Sequence, residues 1–438
     1  MPDTAILPQP DLADAAFPAA MQPSARPRIV VVGAGFGGLA AVHALRGARA
    51  DITLIDRENH HVFQPLLYQA ATAALASSDI AWPIRSMLRN QPNVRVVMAE
   101  VSGVDVPGRR VLAGNLEFPY DYLVLATGST ESYFGHEDWA RFAPGLKRIA
   151  DAATIRKRIL LAFERAELAA DRDEQARLLT FVVIGGGATG VEMAGAIAEV
   201  ARQTLRHDFR AIDPTKARIV LVEAGARLLP TLPESLSQYA ETALRRMGVD
   251  VRLGTQVTGC DARGIDTSRA RIEAATLIWA AGVRASPAAS WVGMEGDKHG
   301  RLMVADDLSL RAHPDIFAIG DIAAASRPDG GPVPGVAPAA KQMGAYVGRR
   351  IGALIAGRRD SKPFRYRDQG ELAAIGRKSA VVRIGRVKLT GVIAWLVWSV
   401  AHIFFLVTLR DRLVVSLTWL WNYVTFQRSA RVVTRPDE

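Results

Sequence analysis

An α/β fold of two doubly wound units, the second inserted in the first and both followed by an apolar helical tail, is what this 438-residue sequence predicts. Three observations predict it. A strand that runs into a Gly-x-Gly-x-x-Gly turn and then a helix occurs twice, in RIVVVGAGFGGLAAVHAL from Arg28 and in VVIGGGATGVEMAG from Val182. After the second unit, HPDIFAIGDIA reads as a strand returning to the first. Beyond Gly385 the composition turns apolar and tryptophan-rich.

Composition bounds the chemistry before any motif does. Hydrophobic residues make up 49% of the chain and glycine numbers 37, which suits a folded protein rich in strand-to-helix turns. Lys and Arg exceed Asp and Glu by ten, with several positives in the last fifty residues, so an anionic partner surface is expected there. Cys260 is the single cysteine, so electron transfer through a protein dithiol is excluded and a structural role is expected for it. Residues 1–27, rich in Ala and Pro and carrying Asp3, Asp11 and Asp14, read as a disordered tail rather than a signal peptide.

From Arg28 the pattern is strand, turn, helix and then the strand DITLIDR, and a mixed region closes with the strand and turn YLVLATGS. Arg-rich helical sequence from Ala150 to Ala176 leads to the second unit, which contains the strand ARIVLVEAG and ends at TLIWAAGVRAS. The expected boundaries are 28–148 for the first part of unit one, 149–295 for the inserted unit, 296–385 for the return and 386–438 for the tail. A Gly/Pro loop at 326–338 precedes a short helix bearing Lys341 and Gln342.

Each turn has the form that binds a dinucleotide. In the first, Gly33 permits the tight turn, Gly35 lets a pyrophosphate approach the backbone, and Gly38 lets the helix pack on the strand. The pyrophosphate then meets the free N–H groups of the helix start, and Asp56 at the end of the next strand can accept ribose hydroxyls. Gly185, Gly187 and Gly190 repeat the logic, with Glu223 closing the second strand. A carboxylate there favours NADH, because it repels the 2′-phosphate of NADPH; Arg227 lies close enough to soften that preference.

With these residues the chain resembles the two-dinucleotide-binding-domain flavoproteins. That group's aspartate on the ribityl chain of FAD matches Asp321, after Gly320. Its second FAD turn matches Ala126, Thr127 and Gly128, and the counterpart in the NADH domain matches Ala281 and Gly282. Within the group the chain is most similar to the type II NADH dehydrogenases, from about Arg28 to Arg431. DRENHHVFQPLLYQAA, GGGATGVEMAGAIAE, VPGVAPAAKQMG, AAIGRKSAVV and the tryptophan-rich tail carry that likeness. The chain departs at Ala337-Pro338, where many members carry Ala-Gln.

The resemblance implies one turn for resident FAD and one for NADH. It adds Phe36, Gly37, Arg57, Pro65, Leu66, Val101 and Lys341 to the FAD contacts, and Ala188 and Thr189 to those of NADH. Glu192 matches the family's proposed proton-relay carboxylate; a charge favoured by the helix dipole is the alternative. Gln342 is implied at the quinone, and Lys378 and Lys341 could stabilise reduced flavin or a quinone oxyanion, with a solvated lysine as the alternative for both. His60 and His61 are adjacent and lack a third ligand, so no metal is expected.

Gly391 to Leu409 form 19 nearly uncharged positions, long enough to span a bilayer. His402, the charges of Arg410 and Arg412, and Trp395, Trp398, Trp419 and Trp421 favour a monotopic anchor instead; a helix pair buried in a homodimer is the alternative. Both turns lie upstream, so the tail is expected to be separable from them. The expected activity is NADH oxidation with reduction of a membrane quinone, ubiquinone or menaquinone, without proton pumping, at the cytoplasmic face of a membrane. A soluble reductase of a ferredoxin- or rubredoxin-like protein and an NADH-sensing flavin-containing binding protein are the alternatives, and no nucleic-acid partner is expected.

Overall fold

A computed structural model describes residues 26–358, 362–406, 409–425, 427–428 and 430–433. All but the last two residues of the expected disordered tail lie outside the described residues. The first unit opens with β1 (Arg28–Val32), α1 (Phe36–Ala44) and β2 (Asp51–Asp56), followed by a short helix α2 (Leu67–Ala71), β3 (Val94–Met98) and β4 (Tyr122–Leu125). Helix α3 (Ile149–Leu168) leads into β5 (Thr180–Ile184), α4 (Ala188–Glu199), β6 (Arg218–Val222), α5 (Glu234–Arg246), β7 (Val249–Arg252) and β8 (Thr276–Trp279). The chain returns with β9 (Ser309–Leu310), β10 (His313–Ala318) and α6 (Ala337–Ile355). It ends with β11 (Glu371–Gly376), β12 (Ser379–Ile384), β13 (Val387–Thr390), α7 (Gly391–Phe405) and α8 (Leu409–Thr425).

The strand order of the first sheet is β9-β10-β4-β1-β2-β3, and that of the second is β7-β6-β5-β8. Strand β10 pairs in parallel with β4, so the second sheet is interpolated between strands of the first. Residues Ser129–Glu131 and Val283–Ala285 pair antiparallel where the chain leaves the first unit and comes back. Every residue of β5 and all but the first of β6 are buried, as expected of strands covered on both faces.

Helix α6 is 19 residues long rather than short, because Met343, Val347 and Ile351 extend its buried face against α1. A Cβ on Gly344 would lie 2.0 Å from the Gly37 carbonyl oxygen, and one on Gly348 would lie 2.5 Å from that of Ala41. Glycine at both positions is what lets the two backbones approach. Pro338 sits in the first turn of α6, where its missing N–H costs no helical hydrogen bond.

The tail is not separable. Strands β11–β13 form their own antiparallel sheet, and β11 lies close enough to α4 that a Cβ on Gly195 would meet the Ile375 carbonyl oxygen at 1.7 Å. Ala394, Trp398, Leu406 and Val415 belong to the same apolar cluster as Met193 and Ile197 of the second unit and Val381 of β12. At roughly 1.5–3 kcal/mol for each large buried side chain, removal of the tail would expose a substantial part of that core. Helix α7 stops at Phe405, so its 15 residues reach about 22 Å, short of a hydrocarbon core of about 30 Å. No described helix is long and apolar enough to cross a membrane.

Candidate active site

A cavity of about 670 Å³ lies at the carboxyl ends of β1, β2 and β4. Gly33, Gly35, Phe36 and Gly37 line it beside Asp56, Arg57, Pro65 and Val101, and so do Ala126, Thr127, Gly128, Gly320 and Asp321. Gly33 has φ +101°, and a Cβ there would stand 2.4 Å from the Ala126 carbonyl oxygen, whereas one on Gly35 would meet nothing within 4 Å. That open approach leads to the start of α1, which carries no acidic residue in its first turn and no side-chain cap. The site therefore fits the pyrophosphate of FAD. The Asp56 carboxylate accepts the Ala34 and Glu58 N–H groups at 2.6 and 2.8 Å, while burial raises its pKa. Asp321 accepts the Ser129 hydroxyl at 2.7 Å, and Lys147 donates to the same hydroxyl at 3.1 Å.

Gly38 does not line the cavity; a Cβ there would lie 1.8 Å from the Gly33 carbonyl oxygen, so its part is helix packing. Leu66 is a correction: it is fully buried in the apolar cluster and does not line the cavity. Lys341 does not line it either. Its ammonium stands 5.1 Å from the ring centroids of both Phe36 and Phe405, and burial lowers its pKa. His61 is buried with its Nδ1 2.9 Å from the Ala34 carbonyl; burial pushes its pKa down to about 4, so the neutral ring donates from Nδ1.

The second turn repeats the first. A Cβ on Gly190 would lie 1.8 Å from the Gly185 carbonyl oxygen, Gly187 faces open space, and α4 starts with no acid in its first turn. Ala188 opens α4, and Thr189 reaches into the lining of the large cavity, which brings the second turn to the first unit's site. Glu223 accepts the Gly186 and Gly225 N–H groups at 2.5 and 2.6 Å, which holds its carboxylate at the turn. Arg227 is turned away, donating to the Pro230 carbonyl at 2.7 Å. Ala281 and Gly282, the latter with φ +81°, follow β8 on the way to the antiparallel pair with Ser129–Glu131. Burial, with Asp261 and Asp138 nearby, pushes the Cys260 thiol up to about 11, so it stays protonated at neutral pH.

Glu192 faces a different cavity, formed where α2, α4 and β11 meet α7 and α8. It keeps some surface where it lines that cavity, but the surrounding protein pushes its carboxyl up to about 8 despite a 3.2 Å hydrogen bond from the Ala374 N–H. The carboxyl is thus mostly protonated at neutral pH, as a proton donor needs to be. Trp395, Trp398, Trp419 and Tyr423 form the apolar wall, and the indole nitrogen of Trp398 has no hydrogen-bond partner among the described residues. A series of ring contacts leads from this wall towards the large cavity: Trp398 stacks on His402 at 4.2 Å, His402 meets Phe63 at 6.2 Å, and Phe63 meets Phe36 at 5.8 Å.

Two expected residues are not at this cavity. Gln342 gives both ends of its amide to the backbone of Arg367, donating to the carbonyl at 3.0 Å and accepting from the N–H at 2.9 Å. Burial of Met343 and Val347 against α1 is what turns Gln342 towards 362–370. Lys378 is exposed in the β11–β12 turn with φ +63°, its ammonium 5.3 Å from the Tyr423 ring centroid. Tyr68, Gln69, Glu199 and Arg428 were not singled out from sequence, although all four line the cavity around Glu192.

Residues 27–344 match a family model described as pyridine nucleotide-disulphide oxidoreductase. The chain is 43% identical over 428 residues to the type II NADH:quinone oxidoreductase Ndh of Mycobacterium tuberculosis, covering 94% of this chain and 91% of that one. It is 31% identical over 365 residues to the type II NADH:quinone oxidoreductase of Staphylococcus haemolyticus, covering 81% and 89%. Its fold is that of NDH2 from Plasmodium falciparum in complex with NADH, with a TM-score of 0.82 at 19% identity over 92% of this chain and 99% of that one.

Proposed function

As the chain belongs to the type II NADH:quinone oxidoreductases of the pyridine nucleotide-disulphide oxidoreductase family, it is a flavoprotein that oxidises NADH and reduces a quinone, and we propose how its residues divide that work. Gly33, Gly35 and the start of α1 hold the FAD pyrophosphate, Asp56 takes the adenosine ribose and Asp321 the ribityl chain. Gly185, Gly187 and the start of α4 hold NADH, with Glu223 on its ribose. Bound FAD supplies the two-electron carrier between NADH and quinone. Thr189 and the turn at Ala126–Gly128 bring the two nucleotide sites to one cavity, so the protein's part in that step is alignment and exclusion of water.

The quinone ring enters the tryptophan-walled cavity, where Glu192 donates a proton to a quinone oxygen. The observation that carries this assignment is a carboxyl held near pKa 8 at the meeting of the NADH-binding helix and the apolar tail. The acceptor reaches it from a bilayer. Along α7 the exposed residues Leu396, Val400 and Phe404 recur every four positions, and along α8 Leu413, Leu417, Leu420 and Val424 recur at three and four. Each helix thus turns an apolar stripe outward. Arg386 and Lys388 are exposed beside Ile384 and Val387, which places positive charge next to the same apolar surface. We assign this surface to a monotopic contact with the membrane on its NADH-containing side.

The test is direct. Purified protein should be yellow, NADH should bleach it anaerobically, and ubiquinone or menaquinone should restore the colour. Bleached protein that no quinone recolours would overturn the assignment.

A further inference from the structure

We propose that Glu199 and Tyr68 carry a solvent proton to Glu192 after each quinone is reduced, an inference that rests on the quinone site assigned above. Stoichiometry requires such a supply. NADH brings two electrons and one proton, whereas a quinone takes two electrons and two protons to become a quinol. One proton per turnover therefore comes from water, and Glu192, once it has given its own, has to be recharged.

The lining of the cavity carries the route. Helix α4 continues into a π-helical turn at Val200–Thr204, a distortion found most often at functional sites. Glu192, Ala196, Glu199 and Gln203 recur at spacings of four, three and four along it, so they share one face, and all four line the cavity. Glu192 and Glu199 stand seven residues apart, about 10.5 Å along the axis, too far for one proton jump. Tyr68, on the facing helix α2, is buried and lies within the electrostatic reach of both carboxylates. Its phenolic oxygen accepts from Gln69 Nε2 at 3.1 Å, so its own hydrogen is available to point into the cavity.

Glu199 is held at the outer end of this row. One of its oxygens pairs with the Arg428 guanidinium at 2.9 Å and the other accepts the Arg377 N–H. Its side chain keeps 16% of its surface, beyond which Gln203 and Thr204 complete the cavity wall. The charged and titratable groups that line the cavity with Glu192 are thus Tyr68 from α2, Glu199 from its own helix, Arg377 from the β11–β12 turn, Tyr423 from α8 and Arg428 from the tail.

In the reloading step Tyr68 gives its hydroxyl proton to the Glu192 carboxylate and takes one from Glu199. Glu199 takes its own from water and, in passing it to Tyr68, returns to the carboxylate that pairs with Arg428. No electrons move in this step. Glu199 and Tyr68 touch neither flavin nor quinone and act through Glu192.

The full-length holoenzyme tests this with Glu199→Gln and Tyr68→Phe. In stopped-flow over successive turnovers, recolouring by a short-chain quinone should slow about tenfold or more, while bleaching by NADH and the first recolouring, for which Glu192 is already loaded, keep their wild-type rates. Added azide, a small proton carrier, should restore the later recolourings in Glu199→Gln. In the infrared, the protonated carboxyl band that Glu192→Gln abolishes should exchange its hydrogen for deuterium more slowly in both variants than in the wild type. Equal slowing of bleaching and recolouring, or deuterium uptake at the wild-type rate, overturns the route and leaves the quinone site standing. Wild-type protein that no quinone recolours removes both.

Discussion

The indole N–H of Trp419 donates to the side-chain oxygen of Gln69 over 2.8 Å, joining α8 to α2 across 350 residues of sequence. The same Gln69 amide donates to the Tyr68 hydroxyl, and Trp419 stacks on Trp398 at 5.3 Å. One contact therefore couples the apolar tail to the wall opposite Glu192. Trp419→Phe keeps most of the ring area but leaves a buried amide oxygen unpaired, which costs about 1–3 kcal/mol. A fall of that size in unfolding free energy, read from the denaturant midpoint, is the expected outcome, together with slower quinone reduction.

The raised pKa of Glu192 sets two pH dependences. Quinone reduction should fall as pH rises through about 8, where the donor loses its proton, while reduction of ferricyanide, which takes electrons alone, should not follow that curve. Stability should move in the same window. Between the ordinary carboxyl value of 4.5 and about 8 the unfolded chain releases a proton that the folded protein keeps, so burial of Glu192 destabilises the fold increasingly as pH climbs. Glu192→Gln removes this dependence. Its Tm should exceed that of the wild type at pH 9 and lose the advantage at pH 4, by at most roughly 5 kcal/mol at about 1.4 kcal/mol per pKa unit. Parallel melting curves at both pH values would count against the buried carboxyl.

How far the sequence could be read depended on whether a residue's role is local. The turns at Gly33 and Gly185 were legible because the chemistry sits within one strand, turn and helix, and a Cβ there has nowhere to go. Asp321 was legible because it follows a recognisable strand. Which way Gln342 and Lys378 face was not legible, because motif position does not say how a face turns; that depends on Gly344 packing against Gly37 in one case and on a φ of +63° in the other. Arg428, which pairs with Glu199 and donates to the Thr72 carbonyl, carried no sequence signal, since both partners lie hundreds of residues away.

These positions invite substitutions with opposite expectations from a quinone-contact role. Lys378→Gly relieves a positive φ and should leave the KM for quinone unchanged while raising stability slightly, by under about 1 kcal/mol. Gln342→Leu should cost about 1–3 kcal/mol by orphaning the Arg367 backbone groups, again with little change in quinone KM. A tenfold rise in KM for either would restore a direct quinone contact.

Glu223 decides between the nicotinamide cofactors. With Arg227 engaged by the Pro230 carbonyl, its guanidinium is turned away from the carboxylate at the turn. NADH should be strongly preferred, and Glu223→Gln should narrow the ratio of kcat/KM values for NADH and NADPH by about tenfold, a change of roughly 1.4 kcal/mol. An unchanged ratio would place the discrimination elsewhere.

The outward stripes of α7 and α8 can be altered without touching the core that the same helices bury. Val400 and Leu417 are 66% and 64% exposed, whereas Ala394, Trp398 and Val415 on the opposite faces are buried. Deleting the tail would confound loss of the membrane with loss of this packing, so the informative variant is Val400→Ser with Leu417→Ser. Burial of each side chain in the acyl boundary is worth roughly 1.5–3 kcal/mol, and each basic residue near anionic lipid adds about 1 kcal/mol. The double variant should therefore keep its Tm and its reduction of ferricyanide, bind vesicles of mixed neutral and anionic lipid at least tenfold more weakly, and lose activity with long-tailed quinones in those vesicles. Arg386→Gln with Lys388→Gln should instead make binding less sensitive to salt. Wild-type protein that sediments free of such vesicles at low salt would reject the membrane contact, and a concentration-dependent dimer abolished by the serine pair would assign the stripes to a second copy of the chain.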